Sequence, residues 1–242
     1  MPRFFVTQPL TVGAETVLTG AAARHIAGAL RMTPGEALTL CDGQGTDYAC
    51  TLTAAERERV TLAVDAAAPN RTEPTLAVTL YMGLPKGDKL EWVIQKAVEL
   101  GVTAVVPVMT ARSIARVEGK DAAKKQERWQ RIADEAAGQS GRGICPRVEL
   151  PLRWKEALPR LAEETTLLCY EGGGQPLGEL VAPETRTVSL VIGPEGGFDP
   201  GEVAEVTAAG GRIATLGPRI LRCETAPLAA LTVLMERTGN LR

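Results

Sequence analysis

Val191-Ile192-Gly193-Pro194-Glu195-Gly196-Gly197-Phe198 and Leu216-Gly217-Pro218-Arg219-Ile220-Leu221-Arg222-Cys223-Glu224-Thr225-Ala226 are two glycine-bearing loops, each lying after a short apolar run and before a helical pattern. Glycine is used where a backbone turns at positive φ or approaches a ligand with no Cβ in the way. Read as strand, loop and helix in succession, the two stretches imply neighbouring strands whose loops build one pocket. The same glycines also suit a tight strand-to-helix turn with no ligand, and on these residues alone both readings stand.

The apolar runs before these loops, 188–192 and 212–216, have counterparts upstream at 76–82, 104–109 and 166–170. Between the first two counterparts, 89–100 places Leu90, Val93, Ile94, Ala97 and Val98 on one helical face, with Asp88 in position to cap it. That is a βαβ signature. Further helices are expected over 121–138, which is strongly charged, over 154–161 and over 226–238. Asp199-Pro200-Gly201-Glu202 carries a capping aspartate, a proline at the first helical position and a glutamate two residues on, the marks of a helix start. The pattern predicts an α/β domain with a mostly parallel sheet and a ligand beyond the carboxyl ends of its strands.

Residues 1 to about 70 read differently. Alternating stretches at 36–41, 47–52 and 60–64, with turn-formers such as Gly43-Gln44-Gly45, predict a β-rich domain interrupted by one helix over 20–30. Ala68-Pro69-Asn70-Arg71-Thr72-Glu73-Pro74 has no periodicity and reads as a linker. The boundary falls near residue 72, giving domains 1–72 and 73–242.

Composition excludes several classes. The 242 residues are 45% hydrophobic and 23% charged, with a net charge of −2, an ordinary globular profile. No signal-like start and no apolar run near the ~20 residues of a membrane span occurs, so a soluble, cytoplasmic protein is expected. Five scattered cysteines without a CxxC pair, and His25 as the single histidine, argue against a disulfide framework or a metal site. Residues 120–160 hold ten Lys and Arg against six Asp and Glu. Such a stripe binds phosphate or is merely a solvated helix face. Neither GxGxxG nor GxxxxGK[ST] is present, which removes the dinucleotide and P-loop phosphate cradles.

The two loops, together with Met1-Pro2-Arg3-Phe4-Phe5-Val6, Arg24-His25-Ile26 through Leu30-Arg31-Met32, residues 86–101, and Glu135-Ala136-Ala137-Gly138-Gln139-Ser140-Gly141-Arg142, resemble the SPOUT-class RNA methyltransferases. The likeness is to the RsmE-type family, which methylates N3 of a uridine in small-subunit ribosomal RNA, and it runs over nearly the whole chain. It implies an N-terminal PUA-like β-barrel, a C-terminal α/β domain tied in a trefoil knot, S-adenosyl-L-methionine as cofactor, 16S rRNA or the small ribosomal subunit as substrate, and a homodimer. Cofactor contacts would come from Ile192, Gly193, Pro194, Glu195 and Gly196 of the first loop and from Leu216, Gly217, Ile220, Leu221, Thr225 and Ala226 of the second. Ile192, Leu216, Ile220 and Leu221 suit an apolar wall. Cys223 stands where that family more often has threonine.

Methylating uridine N3 requires loss of the N3 proton and stabilisation of the anion spread over the flanking carbonyls. Arg222, a permanent cation with planar donors inside the second loop, is the first candidate for that stabilisation. Glu224 or Glu195 is a candidate base, though a glutamate at a helix start also caps it or pairs with a cation. His25 suits packing or RNA contact better than catalysis, and Cys223 has no histidine neighbour in sequence to make it a nucleophile. Arg128, Arg131, Gln139 and Arg142 are expected on the RNA, with Gly141-Arg142-Gly143 a flexible basic corner, and Arg3, Arg24 and Arg31 are similar candidates in the N-terminal domain. Asp88, Lys89 and Glu91 are read as capping and solvation. A non-catalytic RNA-binding protein and a small-molecule α/β enzyme are the competing functions.

Overall fold

The computed structural model describes residues 1–241. Its chain divides into two compact units. The first consists of Met1–Glu73 together with Ala137–Cys145, and the second of Pro74–Ala136 and the residues from 146 onward. A single linear boundary near residue 72 does not express this division, because 137–145 group with the N-terminal residues.

In the first unit, strands β1 (Arg3–Phe5) and β2 (Glu15–Thr19) are followed by a short helix α1 (Gly20–Ala23) that continues as a π-helical turn over Arg24–Ala29. Strands β3 (Ala37–Cys41), β4 (Thr46–Glu56) and β5 (Arg59–Pro69) complete a sheet of order β1-β3-β4-β5-β2. Only β1 and β3 pair in parallel. Val60, Leu62 and Val64 alternate inward along β5 and pack with Leu38, Leu40, Cys50, Leu52 and Ile26. Register shifts at Ala49/Cys50 and Leu52/Ala54 mark bulges in the β4–β5 ribbon, which bend and twist it.

The segment read as a linker is fastened down. β5 runs through Pro69, and Asn70 Nδ2 donates to Asp47 Oδ2 at 2.9 Å and to the Gly141 carbonyl at 3.2 Å. The basic corner is fastened likewise. Arg142 is buried, its Nε and Nη2 donating to the Glu73 carboxylate at 3.0 and 2.7 Å, and the same carboxylate accepts from the Gly143 and Ile144 amides. Gly143 has no room for a side chain, since a Cβ would lie 2.5 Å from Asn70.

The second unit opens with β6 (Ala77–Gly83), α2 (Lys89–Glu99) and β7 (Ala104–Met109). Every residue of β7 is buried, as expected of a parallel strand covered on both faces. Leu90, Val93, Ile94, Ala97 and Val98 form the buried face of α2. Asp88 occupies the N-cap position, but its side chain makes no capping hydrogen bond. Helix α3 (Gly119–Ser140) ends within the first unit. Then come β8 (Arg147–Val148), β9 (Leu152–Arg153), α4 (Trp154–Leu161), β10 (Thr166–Cys169), β11 (Gln175–Pro176), β12 (Thr187–Ile192), α5 (Pro200–Ala208), β13 (Arg212–Thr215) and α6 (Ala226–Arg237).

The sheet runs β11-β13-β10-β12-β6-β7-β8, with β9 also on β7, and all its pairs are parallel. Asp199 caps α5 through Gly201 N–H at 3.0 Å, and Glu202 closes the capping box. Buried Glu202 has a second use: its Oε1 accepts from Ala111 N–H at 2.7 Å, tying the start of α5 to the loop after β7. Among the described residues no helix is long and apolar enough to cross a membrane.

Candidate active site

Strands β13, β10 and β12 lie side by side, with Cys169 in register with both Ile192 and Ala214. Their carboxyl ends therefore release three loops, 170–174, 193–199 and 216–225, at one edge of the sheet, where open parallel sheets bind ligands. The loops enclose a cavity of about 530 Å³.

The first loop is held by its own packing. Phe198 is buried with a tilted contact to Trp154 at 5.8 Å, and burying such a ring contributes roughly 1.5–3 kcal/mol. Gly197 N–H closes a turn on the Pro194 carbonyl at 2.9 Å, with Gly197 at φ +66°. A Cβ on Gly83, the last residue of β6, would lie 2.4 Å from Pro194 Cδ, so this glycine lets the loop rest directly on the strand end. The tight-turn and pocket readings of these glycines are thus both satisfied: the turn is tight, and it lines the cavity.

Of the expected cofactor residues, Ile192, Gly193, Pro194, Glu195, Gly196, Leu216, Gly217, Ile220, Leu221 and Ala226 line the cavity, as do Arg222 and Glu224. Thr225 is not part of the lining; it precedes α6 and is exposed. Sequence reading missed Cys169, Tyr170 and Glu171, which enter because β10 is inserted between β12 and β13. It also passed over Lys89 as a solvated helix residue, although Lys89 is at the cavity too.

Charges at the cavity are grouped. Lys89 Nζ is 2.8 Å from Glu195 Oε1 and 3.7 Å from Glu224 Oε2, and Glu195 also accepts from the Lys86 amide at 3.2 Å. Partial burial raises the Glu195 pKa, but hydrogen bonds from Lys89 and backbone amides outweigh it and hold the carboxyl below its usual range. The Glu224 carboxyl is lowered as well, first by its own backbone amide and then by the Cys223 S–H, which donates at 3.2 Å. Both carboxylates are therefore weaker proton acceptors than a free glutamate. Burial and the bond to Glu224 push the Cys223 thiol up to about 12, so it is protonated at neutral pH and carries no nucleophilic thiolate. Arg222 is exposed, and its guanidinium has no hydrogen bond or ion pair among the described residues.

The arginines expected on RNA are placed unevenly. Arg31, held at φ +53° in the left-handed region, and Arg131 are exposed, as is Gln139. Arg24 and Arg128 are exposed but ion-paired, to Glu58 and Glu91, each at 2.7 Å. Arg3 and Arg142 depart from the expectation: Arg3 donates to Asp47 Oδ2 at 2.7 Å and to the Arg142 carbonyl, and Arg142 is spent on Glu73. Their charge is consumed inside the first unit. His25 belongs to that unit, edge-on to Phe4 at 5.5 Å, and does not line the cavity.

A parallel sheet whose strand-end loops close over an apolar and glycine-rich cleft defines an α/β protein built to hold an organic ligand beyond its strands. Residues 71–235 match the model of the RNA methyltransferase domain, and 18–65 match that of the RNA methyltransferase PUA domain. The chain is 37% identical to the ribosomal RNA small subunit methyltransferase E of Bacillus subtilis, over all of this chain and 99% of that protein. Among solved structures, the methyltransferase of the same name from Neisseria gonorrhoeae, bound to S-adenosyl methionine, aligns with a TM-score of 0.90 and 37% identity over 98% of this chain and 97% of that one. A putative methyltransferase from Legionella pneumophila, in complex with the same cofactor, aligns with a TM-score of 0.89 and 30% identity over 97% and 96%. The chain belongs to the RNA methyltransferase family, with a PUA-type N-terminal domain.

Proposed function

We propose that the protein methylates N3 of a specific uridine in the 16S ribosomal RNA of the small subunit, with S-adenosyl-L-methionine as methyl donor. The observation that carries this reading is the cavity shared by the two glycine loops, with Arg222, unpaired among the described residues, lining it. Its volume of about 530 Å³ falls in the range of roughly 300–1,000 Å³ usual for small-molecule sites. Ile192, Leu216 and Leu221 offer apolar surface, and the glycine-bearing backbone offers amides and carbonyls, which suits an adenosine with a methionine tail. When bound, this cofactor supplies a methyl group made electrophilic by its sulfonium.

The remaining chemistry falls to the chain's own side chains. Arg222 donates to the carbonyl oxygens that flank uridine N3, stabilising the anion left when the N3 proton passes to solvent water. Glu224 stays in the site through its place beside Arg222 and Lys89, although its lowered pKa makes it a poor proton acceptor. Arg31, Arg131 and Gln139, exposed, and Arg24 and Arg128, in exposed pairs that phosphate can displace, are the RNA contacts of this reading.

The reading extends to architecture. β13 lies beyond β10 from β12, while α6, which follows it, packs on α2. The 216–225 segment must therefore return across the ends of β10 and β12, which supports a trefoil knot at the cofactor site. Ile220, 87% exposed on the cavity, supports a homodimer that covers it. A 16S substrate places the enzyme in the cytoplasm.

The test incubates the protein with labelled S-adenosylmethionine and either small subunits lacking the modification or the naked RNA, then identifies the labelled nucleoside. N3-methyluridine is expected. Label in another nucleoside, or none despite measured cofactor binding, would overturn the uridine assignment.

A further inference from the structure

Lys89, the first residue of α2, reaches both cavity loops. Its ammonium forms a 2.8 Å hydrogen-bonded pair with Glu195 of the first loop and a longer 3.7 Å ion pair with Glu224 of the second. The turn that leads into α2 joins in, through the Lys86 amide on Glu195. Glu224 in turn takes the Cys223 S–H. The anions of this corner therefore have partners, and among the described residues Arg222 has none, although it stands two positions before Glu224 in the same loop and lines the same cavity. A guanidinium beside an uncommitted carboxylate ordinarily pairs with it, because the planar fork matches the two oxygens. Something must occupy Glu224 for Arg222 to remain open.

We infer that Lys89 is a positioning residue: by holding Glu224 it keeps that carboxylate off Arg222 and leaves the guanidinium available to the substrate base. The inference rests on the proposed role of Arg222. It differs from a plain loop clamp in what happens when the second partner is also removed. Without Lys89, Glu224 turns to Arg222 and competes with the uridine carbonyls. Without both Lys89 and the Glu224 charge, the competitor is gone and Arg222 is open again. A clamp that merely holds two loops together cannot be restored by deleting its other half.

The test compares kcat, KM and cofactor affinity for Lys89→Ala, Lys89→Arg, Glu224→Gln, Arg222→Ala and the Lys89→Ala/Glu224→Gln pair, with cofactor affinity measured calorimetrically in the absence of RNA. Lys89→Ala is expected to lower kcat about 10-fold, or about 1.4 kcal/mol, with cofactor affinity changed less than about 3-fold and Tm unchanged. Lys89→Arg should keep most of the turnover, and the pair should turn over several-fold faster than Lys89→Ala alone. A further double variant, Lys89→Ala/Arg222→Ala, should cost little more than Arg222→Ala alone, since the two act through one interaction.

A Lys89→Ala enzyme with normal kcat, a pair no faster than the single variant, or a cofactor affinity that falls as steeply as kcat would each overturn the inference. The first two leave the Arg222 role intact if Arg222→Ala is itself impaired. Full turnover in Arg222→Ala would instead remove the reading on which the inference stands, and the inference with it.

Discussion

Arg142 stands between Gly141 and Gly143 with its guanidinium buried on the Glu73 carboxylate, whereas Arg222, in the 216–225 loop, stands exposed at the cavity with no partner among the described residues. Both are arginines in irregular, glycine-bearing segments, and both invite the same reading as contacts to an anion. What separates them is the supply of carboxylate. Glu73 has four donors converging on it, two from Arg142 and two from backbone amides. Glu224 is already engaged by Lys89 and Cys223. An arginine is structural where a carboxylate is waiting for it and functional where the nearby carboxylates are taken.

The sharpest way to break this contrast is to truncate the buried member. Arg142→Ala leaves the Glu73 carboxylate without its cation in a protected site, and breaking such a pair costs about 3–5 kcal/mol. Urea unfolding that showed a loss below about 1 kcal/mol would mean that Arg142 is an ordinary surface cation. The same pair carries an acid signature. Burial raises the Glu73 pKa, but the Arg142 hydrogen bonds and charge overcome this and hold it below the ordinary value of 4.5. A group whose pKa is depressed on folding contributes stability above its unfolded pKa and loses it as pH falls toward the folded one. Stability of the wild type should therefore decline as pH drops below about 4.5, and Glu73→Gln should be less stable at neutral pH with a shallower decline in acid.

The exposed member should behave in the opposite manner. Arg222→Ala is expected to reduce turnover 10-fold or more, at least about 1.4 kcal/mol of transition-state stabilisation. Its unfolding free energy should stay within about 0.5 kcal/mol of wild type, as for surface substitutions generally. Unchanged turnover would sink the assignment, and a large stability loss would show that Arg222 has a partner after all.

This contrast also explains what could be read in advance. The bounds of β7 and α4 follow from the sequence because a six-residue apolar run and an amphipathic turn pattern are local properties. The glycine loops announce the cavity for the same reason. Strands β1 and β2 escape notice because three and five residues, with a single buried side chain between them, carry little periodicity, and β8, β9 and β11, at two residues each, exist only through their neighbours. Tyr170 and Glu171 reach the cavity through strand order, which no local pattern encodes. The burial of Arg142 depends on Glu73, 69 positions away, and Lys89 meets Glu195 across 106. Residue type and spacing identify a charge; only the fold says what it is paired with.

The smallest expected effect lies at Cys223, where the resemblance pointed to threonine and the structure shows why little should change. The side chain is buried, its thiol is kept protonated by burial and by the bond to Glu224, and its visible task is to donate one hydrogen bond to that carboxylate. Threonine offers an O–H donor of similar reach and bulk, so Cys223→Thr should leave turnover within about 2-fold, since one hydrogen bond to a charged group is exchanged for another. Cys223→Ala removes the donor and loosens one of the holds on Glu224, so it should fall between wild type and Lys89→Ala in turnover. If Cys223→Thr instead abolished methyl transfer, a covalent role for the thiol would have to be reconsidered, and Glu224 would no longer be the residue through which Cys223 acts on Arg222.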